Sequence, residues 1–575
     1  MLLRLLQRLV GSRGRAADAS RGLARWRAGD LAGAETAYRL ALRGNAADAQ
    51  ALYGLGAVLV AQKRMDEGIE ALLQAVEARP REVAYRVALG SAYAQGKLIA
   101  QALEQLLEAV KLAPGDPELE ARLHKPLLDL CDWDRIDKAL ERLDRYARSE
   151  PAERWTLRVH PWVVLALPIE DRLRQEVLRQ HARRIAARAA AMPPVRRAPR
   201  SGAPRRRVGY VSADFRSHPV GQLAAGLYER HDRARFEISA YSLLGDDGSE
   251  HRKRLRAAFD HFVDAEDLAP QALAQRIADD GIDILVDLAG YTGKTCTEAF
   301  ALRPAPVQVN YLGYPNSMQA PFIDYLVADR VIAPASEFDA IAEAVVHLPA
   351  SYQANDDRQA SAPQTPTRGD AGLPASGFVF CCFNQTYKIE REVFAAWLRL
   401  LAALPGSVLW LLASNAQTEA RLRAAAAARG IDPARVLFAP WARRAEHLAR
   451  TRLADLFLDT HTCNGHTTSS DALWAGVPLI TWPGGSFAGR VAASLLHAIG
   501  LPELIAATLA DYERLALELA RDPGRLRALR ERLAGNRGTQ PLFRTEEYAR
   551  HLERAYEQMW ARHLAGEPPA HFAVN

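Results

Sequence analysis

The sequence predicts an α + α/β protein in which a helical array precedes two successive α/β domains. Two observations carry this prediction. Over residues 1–145, apolar residues recur at helical spacing in segments that repeat along the chain. From residue 206 onward, short apolar runs that favour buried strands alternate with helical patterns. Such alternation is typical of parallel sheets covered by helices on both faces.

The helical array repeats with a period of 34 residues. The segment that begins "LYGLGAVLV" superposes on the one that contains "VALGSAYAQ", with Gly56 on Gly90 and Pro80 on Pro114. Small residues where two helices touch and a proline after the pair indicate tetratricopeptide repeats. Such repeats stack around a concave groove that usually binds peptide segments, although a structural platform or a dimer surface would use the same stack.

Changes in period and composition divide the rest of the chain. A hinge rich in Pro, Gly and Arg, "MPPVRRAPRSGAPRRR", precedes the first α/β domain, and a polar stretch separates the two α/β domains. Near the end, Tyr548, Leu552 and Tyr556 predict a long helix whose apolar stripe must pack on something. The predicted segments are repeats at 1–145, a helical transition and hinge at 146–205, the first α/β half at 206–354, a linker at 355–376, the second α/β half at 377–545, and a closing helix and tail at 546–575.

Composition and charge exclude several classes of protein. Of the 575 residues, 49% are hydrophobic and 25% are charged, as in ordinary folded proteins. A formal charge of +6 is small for this length, so we expect no nucleic-acid partner. No apolar run approaches the roughly 20 residues that cross a bilayer, so no membrane partner is expected, and we interpret "MLLRLLQRLVGSRGR" as a capping or surface helix. Five cysteines without a CxxC pair favour the cytoplasm.

Residues 459–476, "DTHTCNGHTTSSDALWAG", gather small polar side chains between a predicted strand and a predicted helix. Open parallel sheets bind ligands outside the carboxyl ends of their strands, and a helix N-terminus attracts anions. Gly465 would let a phosphate approach the backbone, while Thr467 and Thr468 would add hydroxyl donors. Asp471, one turn further along the helix, would accept from ribose hydroxyls. The alternative is an elaborate N-cap.

Other candidates stand near the same edges. Lys388 follows the predicted strand "GFVFCCF" and would neutralise the charge of a pyrophosphate. His447 and Arg450 are three residues apart on a helix and share a face. A nucleobase would lie against the imidazole, while the guanidinium would reach a carbonyl or a phosphate. His218 follows the first predicted strand, "RVGYVSADF", and suits a general base or a sugar hydroxyl. Each of them also has an ordinary surface or structural interpretation.

Three other chemistries fit the sequence poorly. "GYTGKT" resembles a phosphate loop, but Leu288 stands where that loop requires its first glycine. His461, Cys463 and His466 are zinc ligands by type, but their spacing matches no common zinc motif. The GxSxG signature of serine hydrolases is missing from the sequence.

Several ordered blocks resemble the O-linked N-acetylglucosamine transferases, a family with tetratricopeptide repeats. The resemblance spans essentially the whole chain, and its most specific blocks include "VGYVSADFRSHP", "ALRPAPVQVNYLGYPNS", "CCFNQTYKI" and "CNGHTTSSDALWAG". It implies a glycosyltransferase of GT-B fold, with two Rossmann-like domains, that inverts the configuration at the anomeric carbon of the sugar. It further implies transfer of N-acetylglucosamine from UDP-GlcNAc to Ser or Thr hydroxyls of proteins, without a metal ion or other cofactor, and an acceptor held in the repeat groove and cleft.

The resemblance also assigns roles to individual residues. His218 matches the family's catalytic or sugar-contacting histidine, Asp280 matches an aspartate suggested in proton removal, and Tyr387 precedes the key lysine. Arg444 stands where animal members have lysine, which changes the geometry of the charge. For the UDP-sugar, the matching positions are Gln385 and Lys388 at the diphosphate, Ala442, Arg444, His447 and Arg450 around uridine and phosphate, His466, Thr467 and Thr468 at the phosphates, and Asp471 at the ribose.

We expect Lys388 and the helix N-terminus at Thr467 and Thr468 to stabilise the departing diphosphate. The base stays open among His218, Asp280 and a phosphate oxygen of the donor. Three alternative functions remain: transfer of glucose from UDP-glucose to asparagine, a non-catalytic tetratricopeptide scaffold that binds UDP-sugar, and hydrolysis or epimerisation of the donor. The short linker and the short repeat array look bacterial.

Overall fold

The computed structural model describes residues 17–197 and 205–575. The helix predicted for "MLLRLLQRLVGSRGR" and residues 198–204 of the hinge lie outside this range. The described chain forms two compact units. One ends at His160 and includes Ser414–Arg421, and the other holds Pro161–Ala413 and Leu422–Asn575.

The first unit is helical. Its helices are α1 (Ala17–Arg27), α2 (Leu31–Gly44), α3 (Ala49–Ala61), α4 (Met65–Ala78), α5 (Val83–Gln95), α6 (Ile99–Leu112), α7 (Pro117–Asp129), α8 (Trp133–Ser149) and the short α9 (Ala152–Trp155). The helices pack in sequential pairs, α1 with α2, α3 with α4, α5 with α6, and α7 with α8. The predicted boundary at residue 145 falls within α8.

The turn inside each pair confirms the period of the repeats. One residue in each turn adopts a left-handed conformation, which L-residues other than glycine rarely do. These residues are Gly29, Lys63, Lys97 and Cys131, with φ of 81°, 65°, 61° and 49°. Because they are evenly spaced by 34 residues, the weak first and last copies of the repeat share the turn of the two clear copies.

Two glycines explain why small residues recur where the paired helices touch. A Cβ atom at Gly56 of α3 would lie 2.9 Å from the carbonyl oxygen of Gly68 of α4, and one at Gly68 would lie 3.0 Å from the carbonyl oxygen of Gly56. Only glycine allows the two backbones to approach this closely. Successive pairs also contact one another, as in the stacked rings of Tyr53 and Tyr85, whose centroids are 4.9 Å apart.

The second unit contains two parallel sheets, as predicted. Eight of the described strands form the first sheet. Its elements begin with α10 (Asp171–Ala190) and continue with β1 (Arg206–Ser212), α11 (Pro219–Glu229), β2 (Phe236–Ser242), α12 (Glu250–Ala257), β3 (His261–Asp264), α13 (Pro270–Asp279), β4 (Ile284–Asp287), α14 (Thr297–Ala301), β5 (Val307–Asn310), β6 (Tyr325–Ala328) and β7 (Ala344–His347).

Five of the described strands form the second sheet. Its elements are β8 (Val379–Cys382), α15 (Arg391–Ala403), β9 (Val408–Leu412), α16 (Ala416–Ala427), β10 (Val436–Ala439), α17 (Arg444–Thr451), β11 (Leu456–Leu458), α18 (Thr467–Ala475), β12 (Leu479–Ile480), α19 (Val491–Ala498), α20 (Leu509–Arg521), α21 (Pro523–Thr539) and α22 (Thr545–Leu564), with β13 (Phe572–Ala573) returning to the first sheet.

The first sheet has the strand order β13-β7-β6-β5-β4-β1-β2-β3, and the second has the order β10-β9-β8-β11-β12. Each sheet has one position where the strand order reverses. In the first sheet β2 and β4 lie on opposite sides of β1, and in the second sheet β9 and β11 lie on opposite sides of β8. A crevice opens at such a point, outside the carboxyl ends of the strands, and ligands of open α/β sheets bind there. The loops after β1 and β4, and those after β8 and β11, therefore carry the candidate sites.

The predicted closing helix, α22, packs on the first sheet. The hydroxyl groups of Tyr548 and Tyr311 lie 2.7 Å apart, and the buried carboxylate of Glu553 lies 3.0 Å from Nδ1 of His231. The chain then adds β13 to the edge of the same sheet beside β7. The apolar stripe of the closing helix thus faces the first α/β half, although the helix follows the second half in sequence.

The predicted linker has no helix or strand, but its beginning is fixed in place. We call residues 353–359 the strap. Asn355 and Asp356 in it are buried, and Asp356 forms an ion pair with Arg254 of α12 at 2.6 Å. The hydroxyl of Thr545, at the start of α22, donates to the carbonyl oxygen of Asn355 at 2.7 Å. The strap is therefore part of the folded unit.

Candidate functional site

The loop between β11 and α18 is organised around a buried carboxylate, Asp459. Its Oδ1 accepts from the N–H of Gly465 at 2.7 Å and from the side-chain amide of Asn384 at 3.1 Å, while its Oδ2 accepts from the hydroxyl of Thr481 at 2.9 Å. Burial raises the pKa of Asp459 to about 6. A Cβ atom at Gly465 would lie 2.7 Å from Oδ1 of Asn384, so this tight turn requires glycine.

The N-terminus of α18 is open toward this loop. His466 occupies the N-cap position, and across the described part of the chain no side chain caps the helix. The first amide that bonds within the helix is that of Ser470, which donates to the carbonyl oxygen of His466 at 3.0 Å. The N–H groups of the first turn and the half-buried Thr467 therefore offer an anion site at the positive end of the helix. The hydroxyl of Thr468, expected to add a second donor, instead donates to Oδ1 of Asn384.

Lys388 joins the loop after β8 to the loop after β11. It ends a short helical turn, Thr386–Lys388, and its Nζ donates to the carbonyl oxygen of Asn464 at 2.6 Å. Burial would lower the pKa of Lys388, but its neighbours Cys463 and Tyr387 raise it above the ordinary value. The amine is therefore a cation at neutral pH, and it lies 5.9 Å from the centre of the Tyr387 ring. Gln385, just before this turn, is exposed.

His447 and Arg450 share one face of α17, as their spacing predicts. Nε and Nη2 of Arg450 lie 3.2 and 3.0 Å from Nδ1 of His447, and Nη1 donates to the carbonyl oxygen of Pro440. Burial, followed by the positive charge of Arg450, lowers the pKa of His447 to about 3. The ring is therefore neutral, with Nδ1 accepting and the proton on Nε2, and it lies at 71° to the ring of Phe383 with the two centroids 5.0 Å apart. Ala442 is half-buried and precedes α17 by two residues.

Asp471 lies on α18, one turn from its N-terminus, and is paired with Arg444 of α17. Nη1 and Nη2 of Arg444 donate to the two carboxylate oxygens at 3.0 and 2.6 Å. Nη2 also donates to the side-chain oxygen of Gln359 in the strap. Burial raises the pKa of Asp471, and the charge of Arg444 opposes that rise. Asp471, expected at the ribose, and Arg444, expected at the uridine, thus form a bidentate ion pair with each other.

The two α/β halves meet over α18 and α19. The side-chain amide of Gln353, in the strap, donates to the hydroxyl of Ser470 at 2.7 Å. Asp329, which follows β6 at the carboxyl edge of the first sheet, accepts from the hydroxyl of Ser494 of α19 at 2.7 Å. These contacts turn the carboxyl edge of the first sheet toward the open N-terminus of α18.

His218 lies in the loop after β1 and caps α11. Its Nδ1 is 3.4 Å from the N–H of Val220 and 3.4 Å from Oδ1 of Asp214. Burial lowers the pKa of His218, and Asp214 opposes this change. The imidazole is therefore neutral at pH 7. It can abstract a proton through Nε2 when Nδ1 carries the ring proton toward Asp214, and it can only donate from Nε2 when Nδ1 accepts from Val220.

His251 of α12 was not singled out from the sequence. Its Nε2 is buried without a hydrogen-bond partner among the described residues. Burial lowers the pKa of His251, the backbone of Gly221 raises it, and the charges of Arg254 and, less strongly, Arg444 lower it. His251 thus lies beside Gly221 near the start of α11, and the charge of Arg444 in the second half acts on it. No sequence pattern marks it, because this arrangement arises only when the two halves meet.

The catalytic role expected for Asp280 is wrong. Asp280 ends α13 and precedes β4, so it lies at the amino edge of the sheet, whereas His218 lies past the carboxyl end of β1. Its carboxylate accepts from the hydroxyl of Tyr241 at 2.7 Å and pairs with Arg276 at 2.9 Å. The length of β1, about 20 Å at 3.3 Å per residue, separates the two edges. Asp280 therefore cannot remove a proton beside His218.

The two histidines weighed as zinc ligands bond to the backbone instead. Nδ1 of His461 lies 2.9 Å from the carbonyl oxygen of Trp482, and Nε2 of His466 lies 3.2 Å from that of Ala488. Burial, followed by Lys388, lowers the pKa of His466 to about 3, so this ring is also neutral. Within residues 17–197 and 205–575, no group of three or more His, Cys, Asp or Glu side chains has the arrangement of a metal site.

Known proteins resemble the chain over most of its length. Residues 130–365 and 360–552 match the model of glycosyl transferase family 41, and residues 19–80 and 59–117 match the tetratricopeptide repeat. A probable UDP-N-acetylglucosamine–peptide N-acetylglucosaminyltransferase of Arabidopsis thaliana is 39% identical over 461 residues, which cover 77% of this chain and 47% of that protein. The UDP-N-acetylglucosamine–peptide N-acetylglucosaminyltransferase of Caenorhabditis elegans is 30% identical over 565 residues, covering 78% and 49%.

The solved structure of a variant O-GlcNAc transferase from Thermobaculum terrenum superposes with a TM-score of 0.73 at 30% identity, covering 97% of this chain and 100% of that one. The chain spans about half the length of the two curated relatives. The α + α/β fold predicted from the sequence, with a tetratricopeptide array before a GT-B pair of domains, is confirmed by this match. Because the family model matches both α/β halves, the chain belongs to glycosyl transferase family 41.

Proposed function

We propose that this protein is an inverting glycosyltransferase that moves N-acetylglucosamine from UDP-GlcNAc to Ser or Thr hydroxyls of proteins. One observation carries the proposal: the Lys388 amine and the open N-terminus of α18 converge on one loop at the switch point of the second sheet. A cation and a helix N-terminus so placed suit a pyrophosphate. The names of the relatives in Arabidopsis and Caenorhabditis support the choice of sugar and acceptor.

The donor would lie along the second half. Its phosphates would contact Lys388 and the first turn of α18 at His466, Thr467 and Thr468, with Gln385 beside them. Neutral His447 would offer its ring face to the uracil, next to the backbone of Ala442. The ion pair between Arg444 and Asp471 has to open, or share its carboxylate, before Asp471 can accept from the ribose hydroxyls.

The transfer step follows from this placement. The acceptor oxygen forms a bond to the anomeric carbon, the bond from that carbon to the phosphate oxygen breaks, and UDP leaves with the bonding electron pair. Lys388 and the helix N-terminus stabilise the negative charge that develops on the leaving diphosphate. The acceptor proton passes to His218 or to a phosphate oxygen of the donor. Tyr387, adjacent to Lys388, would pack beside the transferred sugar.

Lys388 and α18 would take the role that a divalent cation fills in many nucleotide-sugar enzymes, so the proposal includes no metal.

The protein acceptor would lie in the repeat groove and in the cleft between the two α/β halves. The described residues include five cysteines, all of them buried and none of them in a disulfide, which supports a cytoplasmic location. In the described ranges, every helix is too short or too polar to cross a bilayer.

The test is a transfer assay with the full chain. The protein is incubated with UDP-GlcNAc and a host lysate, and modified peptides are mapped by mass spectrometry. The proposal predicts N-acetylhexosamine on Ser and Thr, with Lys388→Met as the inactive control. Glucose on asparagine from UDP-glucose, or release of free sugar without any modified protein, would contradict it.

A further inference from the structure

A cavity of about 1030 Å³ lies outside the proposed donor site. Its walls come from the C-terminal part of α18, from α21 and from the first half of α22, together with Asp357 of the strap. Trp474, near the end of α18, contributes one wall, whereas the proposed phosphate site is at Thr467. At 1.5 Å per residue the two positions are about 10 Å apart along the helix, so the cavity is a separate site.

The charges that line the cavity do not cancel. Four arginines and three carboxylates contribute to its walls, and all three carboxylates already form ion pairs. Of the four arginines, Arg537 and Arg554 form no ion pair with any described residue. The existing pairs are Glu547 with Arg544 at 2.8 Å, Glu546 with Arg550, and Asp357 with Arg230 at 2.7 Å.

The two arginines without carboxylate partners are partly withdrawn from water. Nε of Arg554 is buried and makes no hydrogen bond within the described chain. Arg537 donates to the carbonyl oxygen of Trp474, and its guanidinium carbon lies 5.6 Å from the centre of the Trp474 ring. A buried donor without an acceptor is uncommon in folded proteins and often marks the place of an ion or ligand.

The surroundings of these arginines are positive. Burial, followed by the charge of Arg452, lowers the pKa of Arg537. Burial, followed by the charge of Arg554, lowers the pKa of His551, which also lines the cavity and is therefore neutral at pH 7. An anion that enters the cavity thus meets two guanidinium groups whose charge nothing else offsets.

We propose that this cavity binds a soluble small molecule that carries a phosphate group. A planar guanidinium donates two parallel hydrogen bonds to a phosphate, and two such groups suit one multiply charged phosphate better than a single carboxylate. The volume exceeds that of a bare phosphate and lies at the upper limit of the range of sites for small organic ligands. The half-buried ring of Trp474 provides an apolar surface for the organic part.

The experiment titrates the full-length protein by calorimetry with two probes, inorganic pyrophosphate and glucose 6-phosphate. Saturating UDP is present, so that the proposed donor site is already filled. We expect one saturable binding event for each probe. Arg554→Gln and Arg537→Gln should each weaken it about 10-fold, since each removes one charge-assisted interaction. Arg562→Gln, further along α22 and paired with Glu567, is the matched control and should bind as the wild type does.

Thermal unfolding and UDP binding of the variants show whether they fold, and both should match the wild type. Absence of binding to wild type at millimolar probe, or binding by both cavity variants as tight as that of the wild type, would overturn the proposal. Vesicles that contain phosphatidic acid form a third arm. Binding to vesicles without binding of either soluble probe would assign a lipid headgroup and contradict a soluble ligand. Because the cavity variants leave the donor site intact, these outcomes are independent of the proposed transferase activity.

Discussion

Replacing Lys388 by methionine removes the cation from the proposed pyrophosphate site but keeps an unbranched side chain of similar length. Lys388 is held at 2.6 Å from the carbonyl oxygen of Asn464, so its charge is already in place before the donor arrives. A unit charge about 4 Å from a phosphate oxygen contributes up to ~4 kcal/mol at an effective dielectric of 20. Loss of one preorganised donor typically costs about 2.7–4 kcal/mol of transition-state stabilisation.

We therefore expect kcat/KM for sugar transfer to fall about 100- to 1000-fold in Lys388→Met. The UDP affinity should fall about 10-fold, because the ground-state diphosphate loses one charge-assisted hydrogen bond. The assay measures transfer to a protein acceptor at several UDP-GlcNAc concentrations, and calorimetry measures UDP binding. Lys111→Met, at an exposed lysine of α6, makes the same chemical change outside the site and should leave both kcat/KM and the UDP affinity unchanged.

If folded Lys388→Met keeps its transfer rate and its UDP affinity within about threefold of wild type, a difference below 1 kcal/mol, the electrostatic reasoning is refuted. A variant that loses transfer but binds UDP normally would place Lys388 at the transition state alone. Loss of thermal stability would instead point to the bond with Asn464, whose carbonyl oxygen is left without its donor.

Three further predictions concern other groups. Asp280→Asn should keep kcat within about twofold in the transfer assay, because Asp280 lies at the far edge of the first sheet. The pKa of His447 is about 3 in the folded protein and about 6.5 in the unfolded chain, so only the unfolded chain takes up a proton as the pH falls from 7 to 5. This lowers the free energy of unfolding of the wild type by about 2 kcal/mol, and His447→Asn should abolish that part of its pH dependence. Glu553→Ala should lower the free energy of unfolding by about 2–3 kcal/mol in thermal or urea denaturation, because the buried ring of His231 and the N–H of Asp232 lose their acceptor.

Each of these predictions has an opposite outcome. A 100-fold loss in Asp280→Asn would return that carboxylate to the chemistry. A stability difference between wild type and His447→Asn that does not change between pH 7 and pH 5 would mean that the imidazole is not buried as described. Glu553→Gln, which keeps an acceptor, is the control for Glu553→Ala and should lose about half as much stability.

Strands buried on both faces were predictable because continuous apolar runs such as "DILVDLAG" and "VLWLLAS" indicate them directly. β3, β7 and β13 were missed. β3 begins and ends with the exposed His261 and Asp264, and β13 has only two residues, so neither carries a periodic signal. β7, "AVVH", is only four residues long and follows an irregular segment.

The site loops were predictable because chain order alone places the residues after a parallel strand at its carboxyl edge. That rule located Lys388, His218 and the turn before α18. It could not show that Gln359 accepts from Arg444 or that the charge of Arg444 acts on His251, since both depend on how the two halves pack. The same rule already argues against Asp280, which stands before its strand, and only the family resemblance drew it into the site.

A crystal structure of this protein with UDP tests the central claim most directly. The diphosphate should lie within hydrogen-bond distance of Nζ of Lys388 and of the N–H groups of Thr467 and Thr468, with the uracil beside His447. The ion pair of Arg444 and Asp471 should open or share its carboxylate with the ribose. A nucleotide bound elsewhere, or a diphosphate in this cleft that touches neither Lys388 nor the start of α18, would contradict the account.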